Sequence, residues 1–172
     1  MANVKVGVGL SQEQDTRLAA QNAVRGALHQ AGLQGAPWAL CFFTGSHLSR
    51  ADAIRHIVME ETGCSSLCGC SAMGVLGAGQ EVERSAGIVV MVGDGAGVES
   101  HSMLLPHSGE GLASMRALAL CQAGSPLLIA LPDSFQVDHA RFQERLARDW
   151  PAMPVLGAGS TDDGTVGISL QV

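Results

Sequence analysis

The sequence predicts an α/β protein in which helices cover a mixed β-sheet system. Short apolar, β-branched runs alternate with longer stretches of helical period, which is the pattern of α/β proteins. This order of elements occurs twice along the chain. We therefore expect one domain over residues 1–172, built of two tandem β-α-β-α-β-β units at 4–92 and 98–172. An internal duplication explains the repetition, although any two βαβ units look alike at this level.

The first unit is predicted from its apolar periods and from the glycines that end them. Ser11-x-x-Gln14 resembles a capping box for the first helix, and Val24 and Leu28 lie on its apolar face. In chain order, the predicted elements are a strand at 4–10, a helix ending at Gly32 or Gly35, a strand at 38–44, a helix opened by Ser49 and Asp52 and ended by Gly63, a strand at 66–70, a glycine-bearing loop over 70–79 and a strand at 88–92.

The second unit follows the run Gly93-Asp94-Gly95-Ala96-Gly97, which is the clearest break in the chain. In chain order, its predicted elements are a strand at 98–105, a helix at 110–122, a strand at 126–131, a helix capped by Asp138, a strand at 155–158, a small-residue turn at 157–164 and a closing strand at 166–170. Arg141, Arg145 and Arg148 fall on the polar side of the last helix.

Composition and charge narrow the class of function. The chain has 10 Lys and Arg against 16 Asp and Glu, and its net charge of -6 offers no basic stripe for nucleic acid. A signal-peptide pattern is absent from the sequence, and no apolar run approaches the ~20 residues that span a bilayer. Five cysteines are an odd number, so a disulfide framework is not expected. We expect a cytoplasmic protein that binds neither nucleic acid nor membrane.

The candidate ligand-binding residues follow the predicted strands. In open α/β sheets, ligands bind beyond the carboxyl ends of the strands, where loops present backbone amides. Amides of the glycine loops suit a carboxylate, and Asp162 or Asp163 could receive an ammonium group, so the set suits a zwitterion such as an amino acid. The alternative is that these Gly-Ser-Asp segments only turn the chain. The candidates are Ser46, His47, Cys70, Ser71, Gly74, Ser160, Thr161, Asp162 and Asp163.

Other chemistries find little support in the sequence. Gln12 stands where G-x-G-x-x-G needs its third glycine, and Cys64, Cys68 and Cys70 lack a partner that would complete a tetrahedral metal site. No catalytic residue, metal or cofactor is therefore predicted. Two alternatives stay open: a cysteine-dependent enzyme that uses Cys70 with His47 as base, and a haem protein with a histidine as axial ligand.

Several motifs together resemble the N-terminal half of the FIST sensory domain, and the likeness covers nearly the whole chain. Gly69-Cys70-Ser71-Ala72-Met73-Gly74-Val75-Leu76 carries most of it. The other matching motifs are Val6-Gly7-Val8-Gly9-Leu10-Ser11, Ala39-Leu40-Cys41-Phe42-Phe43-Thr44 before Ser46-His47, Glu81-Val82-Glu83 followed by Gly87, and Gly157-Ala158-Gly159-Ser160.

The resemblance implies an intracellular, non-enzymatic sensory domain that binds a small molecule such as an amino acid. Its implied signalling partners include histidine kinases, chemoreceptors and cyclic-dinucleotide enzymes, and one branch of the family resembles haem proteins that sense nitric oxide. Members usually continue into a C-terminal FIST region. We expect that region to be absent from this chain, in which case part of the ligand site would be absent with it.

Overall fold

A mixed four-stranded sheet organises the first part of the chain. The computed structural model describes residues 4–95, 99–104, 127–151, 153–162, 164 and 167–172. The strands are β1 (Val4–Ser11), β2 (Trp38–Thr44), β3 (Ser66–Ala72), β4 (Gly74–Gly77), β5 (Gln80–Glu83), β6 (Ile88–Gly95), β7 (Leu128–Ala130) and β8 (Val155–Gly157), and the helices are α1 (Thr16–Ala31), α2 (Ala51–Thr62) and α3 (His139–Asp149). The sheet has the order β1-β6-β2-β3. Strand β6 is antiparallel to β1 and β2, whereas β2 and β3 are parallel. The prediction of a mixed sheet with helices is confirmed.

Helix α1 packs unusually close to β1 because both elements present small residues at their contact. A Cβ atom at Gly9 would lie 2.0 Å from the carbonyl oxygen of Ala23, and one at Gly7 would lie 2.1 Å from that of Ala27. Such separations leave no room for a side chain. The helix face on β1 is therefore a stripe of buried alanines with Val24 among them.

The hydrophobic core lies between the sheet and helices α1 and α2. Phe43, Ile54, Ile88 and Val90 are fully buried there, as the apolar periods of the sequence predict. The opposite face of the sheet carries a smaller apolar cluster. In that cluster Val89 packs against Val75 and Val82 of a two-stranded antiparallel sheet, β4-β5.

The hairpin β4-β5 corrects the sequence interpretation, which places a glycine-bearing loop and a polar connection at residues 70–84. Each strand has only four residues, and its single buried side chain gives too short an alternation to be distinguished from a loop. Two residues at positive φ, Ala78 and Gly79, form the tight connection between the strands. The strand predicted to end at Val92 also continues, because β6 runs through the glycines to Gly95.

The N-cap of α1 is Asp15, one residue beyond the predicted box at Ser11 and Gln14. The Asp15 side chain accepts a 2.8 Å hydrogen bond from the backbone N–H of Leu18. At α2 the predicted caps are also displaced, since helix α2 begins at Ala51 after Arg50, which makes no side-chain capping bond. The predicted C-terminal glycines, Gly32 and Gly63, are confirmed, and both adopt the left-handed conformation.

We expect Asp15→Ala to lower the free energy of unfolding by about 1 kcal/mol, because it removes one N-cap acceptor from α1. Gln14→Ala is the matched control and should change the free energy of unfolding by less than about 0.5 kcal/mol. Urea denaturation followed by circular dichroism measures both variants. Equal losses in the two variants would contradict the assignment of Asp15 as the cap.

The second half of the chain is only partly described. Strands β7 and β8 lie within the strands predicted at 126–131 and 155–158, and Asp138 caps α3 as predicted, by accepting from the N–H of Arg141. The structure adds that β7 and β8 pair in parallel as a two-stranded sheet. Residues 99–104 form no strand, contrary to the prediction, and the helix predicted at 110–122 lies outside the described residues. The closing strand predicted at 166–170 is not formed in its described residues, 167–170, and the one bridge lies just beyond it, at Gln171. The internal duplication stays a prediction.

None of the helices in the described part of the chain is both long enough and apolar enough to cross a bilayer.

Candidate functional site

Three strands of the main sheet end at one edge. Thr44 at the end of β2 pairs with Ala72 at the end of β3, and Ser11 at the end of β1 lies opposite Ile88, the first residue of β6. The chain segments that follow β1, β2 and β3 therefore leave the sheet on the same side. We call this side the carboxyl edge; it is where the sequence places the candidate ligand loops.

The end of β3 and the residue after it are joined directly to the loop that follows β8. The backbone N–H of Thr161 donates to the carbonyl of Ser71 at 3.1 Å, and the Ser71 hydroxyl donates to the carbonyl of Thr161 at 2.7 Å. The Thr161 hydroxyl in turn accepts a 3.0 Å bond from the N–H of Met73. Two segments that are 90 residues apart in sequence are thus held together by three hydrogen bonds.

Ser160 is the centre of a second group of hydrogen bonds beside this junction. Its fully buried hydroxyl lies 2.7 Å from the hydroxyl of Ser169, accepts from the Gln171 side-chain amide at 2.9 Å and donates to the carbonyl of Pro132 at 3.3 Å. One donor and two acceptor positions are all that a hydroxyl offers, so the Ser160 side chain is saturated. Its role in this state is to hold three chain segments together, namely its own, that of Pro132 and that of Ser169 and Gln171.

The C-terminal residues lie along β3 and add to the same junction. Cys70 and Gln171 form an antiparallel bridge, flanked by bonds from Ser71 N–H to the carbonyl of Leu170 and from Val172 N–H to the carbonyl of Gly69. The N–H of Leu170 also donates to the Ser71 hydroxyl at 3.0 Å. The side chain of Ser71, which is fully buried, therefore connects β3 to both Thr161 and Leu170.

Two glycines occupy matching places in the two parallel strand pairs. A Cβ at Gly69 of β3 would lie 1.8 Å from the carbonyl oxygen of its partner Cys41, and a Cβ at Gly157 of β8 would lie 1.8 Å from that of its partner Ala130. Neither position can hold a side chain without displacing the neighbouring strand. These glycines belong to the two motifs, Gly69-Cys70-Ser71 and Gly157-Ala158-Gly159-Ser160, that the sequence singled out.

Asp162 has a structural role in its own loop. Its two carboxylate oxygens accept from the backbone N–H groups of Gly164, at 2.9 Å, and Gly167, at 2.6 Å, and the residue is buried. These bonds use the negative charge to shape the loop after Thr161. The other candidate ammonium acceptor, Asp163, lies outside the described residues.

His47 lies in a 3-10 turn, Gly45–Arg50, that follows β2 and packs beside β3. The residue is fully buried, and its Nδ1 atom is 2.9 Å from the Thr16 hydroxyl at the start of α1. Its Nε2 atom has no hydrogen-bond partner among the described residues. Burial lowers the pKa of His47, and the opposing effect of the Asp15 carboxylate is smaller. The imidazole is therefore neutral at pH 7.

The remaining candidates lie on the accessible side of the carboxyl edge. Ser46 is exposed in the same turn as His47, whereas Gly74 begins β4 and is half-buried. Thr16 is a contact that the sequence interpretation missed, because no local pattern connects the first residue of a helix with a histidine 31 positions away. The N-cap signal at Asp15 was present and would have placed Thr16 at a helix start.

The cysteines of β2 and β3 are poor candidates for nucleophilic chemistry. Burial, followed by the influence of Cys68, raises the pKa of Cys70 to about 12, and burial raises the pKa of Cys41 to about 12 as well. The reactive form of cysteine is the thiolate, which is negligible at pH 7 when the pKa is this high. Within the described residues no three side chains of metal-binding type come together. The arrangement does not favour a cysteine-dependent enzyme.

We expect a thiol reagent such as iodoacetamide to modify Cys68 before Cys70 and Cys41 in the folded protein. Cys68 is half-buried, whereas Cys41 and Cys70 are buried. Burial raises the pKa of Cys68 too, so its reaction should still be slow beside that of free cysteine. Peptide mass spectrometry over a time course distinguishes the sites. Selective modification of Cys70 would contradict the low reactivity expected of this thiol and would support a cysteine-dependent enzyme.

A cavity of about 440 Å³ lies at the opposite edge of the sheet, between Pro37, Ser65 and residues 99–102. Pro37 precedes β2 and Ser65 precedes β3, so this cavity is at the amino ends of those strands. None of the candidate ligand residues lines it. Its histidine, His101, is paired with Glu99 at 3.2 Å and is partly exposed, whereas the buried His47 does not line the cavity. This cavity therefore offers no buried histidine as an axial ligand for haem.

Comparison with known proteins supplies the family. The sequence of residues 37–171 matches the family model of the FIST N domain. The chain is 27% identical over 156 residues to the uncharacterized protein Rv0628c of Mycobacterium tuberculosis (strain ATCC 25618 / H37Rv), and the alignment covers 90% of this chain and 40% of that protein. It is 23% identical over 154 residues to the uncharacterized protein Mb0898c of Mycobacterium bovis (strain ATCC BAA-935 / AF2122/97), with the same coverage of each chain.

The chain thus spans about two fifths of the length of these relatives. No solved structure matches it. The family match includes both glycine motifs and the turn that carries His47, whereas β1 and α1 precede it. The chain belongs to the FIST N domain family, a family of sensory domains.

Proposed function

We propose that this domain senses a small polar ligand, an amino acid or a similar metabolite, at the carboxyl edge of its sheet. The observation that carries the proposal is the junction between Ser71 and Thr161, which brings the two glycine loops to one place. Loops that meet beyond strand ends are the usual position of ligand sites in α/β sheets. We further propose that the domain is cytoplasmic and relays binding to a signalling partner such as a histidine kinase or a chemoreceptor.

The bonds at the junction indicate which groups remain for a ligand. Ser160 and Asp162 are committed to contacts within the protein, as described above, and Ser71 bonds to both Thr161 and Leu170. The backbone N–H groups of Ser71, Met73, Ser160 and Thr161 are also bonded within the protein. Recognition would then fall to the other backbone amides of the glycine loops and to the exposed hydroxyl of Ser46. Backbone amides and a hydroxyl suit a carboxylate, which is the group that every amino acid offers.

A thermal-shift screen with the twenty amino acids and small carboxylic acids tests the proposal. A ligand that binds the folded state raises the melting temperature, because at one hundred times its Kd it adds about 2.7 kcal/mol to the free energy of unfolding. We expect Ser46→Ala to reduce the shift of any hit, while Ser49→Ala, an exposed serine of the same turn, should leave it unchanged. If the ligand raises the melting temperatures of Ser46→Ala and Ser49→Ala as much as that of the wild type, it binds elsewhere.

The relatives provide a second arm for this screen. Because the chain spans two fifths of their length, the same panel should be applied to a full-length relative such as Rv0628c. A response of the relative, together with none from this chain, would place the ligand site mainly outside the matched region. No response from either protein would overturn the proposal.

A further inference from the structure

At the carboxyl edge, His47 joins two elements through a contact that takes no part in the proposed ligand site. Its ring is fully buried, and its Nδ1 atom joins the turn Gly45–Arg50 to Thr16 in the first turn of α1. The Nε2 atom has no partner among the described residues. A buried polar atom without a hydrogen bond destabilises the folded state, so the neutral ring already occupies this position at a cost.

Protonation of His47 would make its buried position less favourable. A neutral imidazole has one N–H and one lone pair, and the Thr16 hydroxyl can match either of them at Nδ1. An imidazolium has two N–H donors and a positive charge, and the second donor would be buried without an acceptor. The charged form therefore gains by moving to solvent.

The surroundings of the ring offer little compensation for a positive charge. Asp15 on α1 is the one group whose charge favours the protonated form, and burial outweighs it. The other charged and titratable groups on the adjoining helices and turn are all exposed or half-buried: Arg17, Arg25 and His29 on α1, Arg50 on the turn, and Asp52, Arg55, His56, Glu60 and Glu61 on α2. The thiols of Cys41 on β2 and Cys70 on β3 stay neutral because burial raises their pKa values to about 12.

We propose that His47 is a proton-sensitive latch, which as a neutral imidazole ties the turn Gly45–Arg50 to the start of α1 and on protonation releases that turn. The latch is closed at neutral pH. Acidification below the ordinary titration range of histidine opens it, and Ser46 in the same turn is released with it. The proposal stands on the buried contact itself and does not require that a ligand bind at this edge.

The sign of the pH dependence follows from the direction of the pKa shift. The pKa of His47 is lowered in the closed state and returns to about 6.5 when the ring meets water. The closed state is therefore fully favoured above about pH 6.5 and loses stability as the pH falls below that value. Between about pH 7.5 and about pH 5.5, the opening equilibrium should rise by up to about tenfold, as long as the closed state stays neutral.

Hydrogen-exchange mass spectrometry of the wild-type chain at these two pH values tests the latch. Protection factors, corrected for intrinsic exchange rates, should fall by up to about tenfold in residues 45–50 and in the first turn of α1, while α2 and β6 keep their protection. His47→Gln should abolish the pH dependence. His56→Gln, which changes an exposed histidine of α2, should retain it.

Two results would overturn the latch. One is an unchanged protection factor in residues 45–50 between the two pH values in the wild type, a measurement that needs no variant to fold. The other is an equal pH dependence in His47→Gln and wild type.

Discussion

Gly9→Ala should strongly destabilise the protein, because the added methyl group would clash with the backbone of α1. The added Cβ would lie 2.0 Å from the carbonyl oxygen of Ala23 and 2.6 Å from the backbone nitrogen of Ala27. Both atoms belong to the backbone of α1, so no side-chain rotation relieves the clash, and the helix must move away from the sheet. Overpacking in a core costs about 1–3 kcal/mol, and we expect a loss at or above the upper end of that range.

Gly26→Ala is the matched control, because Gly26 lies on α1 and faces Gly9 from the other side of the same contact. A Cβ at Gly26 would lie 3.5 Å from the Cα of Gly9, which is an ordinary van der Waals distance. Alanine in a helix is favoured over glycine by about 0.5–1 kcal/mol, so this variant should be as stable as wild type or more stable. Urea unfolding of the two variants compares them, and a Gly9→Ala protein as stable as Gly26→Ala would contradict the close packing of α1 on β1.

Ser71→Ala should produce the second large effect, because the lost hydroxyl, which is itself buried, serves two backbone partners. The carbonyl of Thr161 loses its 2.7 Å donor and the N–H of Leu170 loses its 3.0 Å acceptor. Each hydrogen bond contributes about 0.5–1.5 kcal/mol net, and both of these are partly buried, so we expect a loss of about 1–3 kcal/mol in the free energy of unfolding. Denaturant unfolding measures the loss.

The control for Ser71→Ala is Ser49→Ala, since Ser49 is exposed and should tolerate the change within about 0.5 kcal/mol. Hydrogen exchange adds a local measurement to the global one. Residues 160–162 and 167–172 should lose protection in Ser71→Ala, because that hydroxyl bonds to both segments. A uniform loss of protection throughout the chain, with none concentrated in those segments, would contradict the junction.

The first half of the fold was largely predictable because its signals are local and long enough to be read. Strand β2 and helix α2 carry clear apolar periods, and Gly32 and Gly63 end the two helices as their conformational freedom predicts. The hairpin β4-β5 was not predictable, since each strand has four residues and one buried side chain. The closing strand at 166–170 was overpredicted, because its sequence alternates as a strand does, although its described residues form none and the bridge falls at Gln171.

The candidate site was predictable as a set of loops and not as a set of contacts. Strand ends and glycines point to residues 70–74 and 158–162, and the carboxyl ends of parallel strands share one edge. The bonds between Ser71 and Thr161 join residues 90 positions apart and leave no trace in local sequence. The same holds for Thr16 and His47, whose contact depends on how α1 packs beside the turn after β2.

Hydrogen exchange of the wild-type chain, with and without a mixture of the twenty amino acids at millimolar concentration, tests the central claim most directly. A ligand bound where the two glycine loops meet should slow exchange in residues 70–74 and residues 158–162 together. Slower exchange confined to residues 99–102 would place the ligand in the cavity at the opposite edge of the sheet. That result, or unchanged exchange in both loops, would contradict a sensory site at the junction of Ser71 and Thr161.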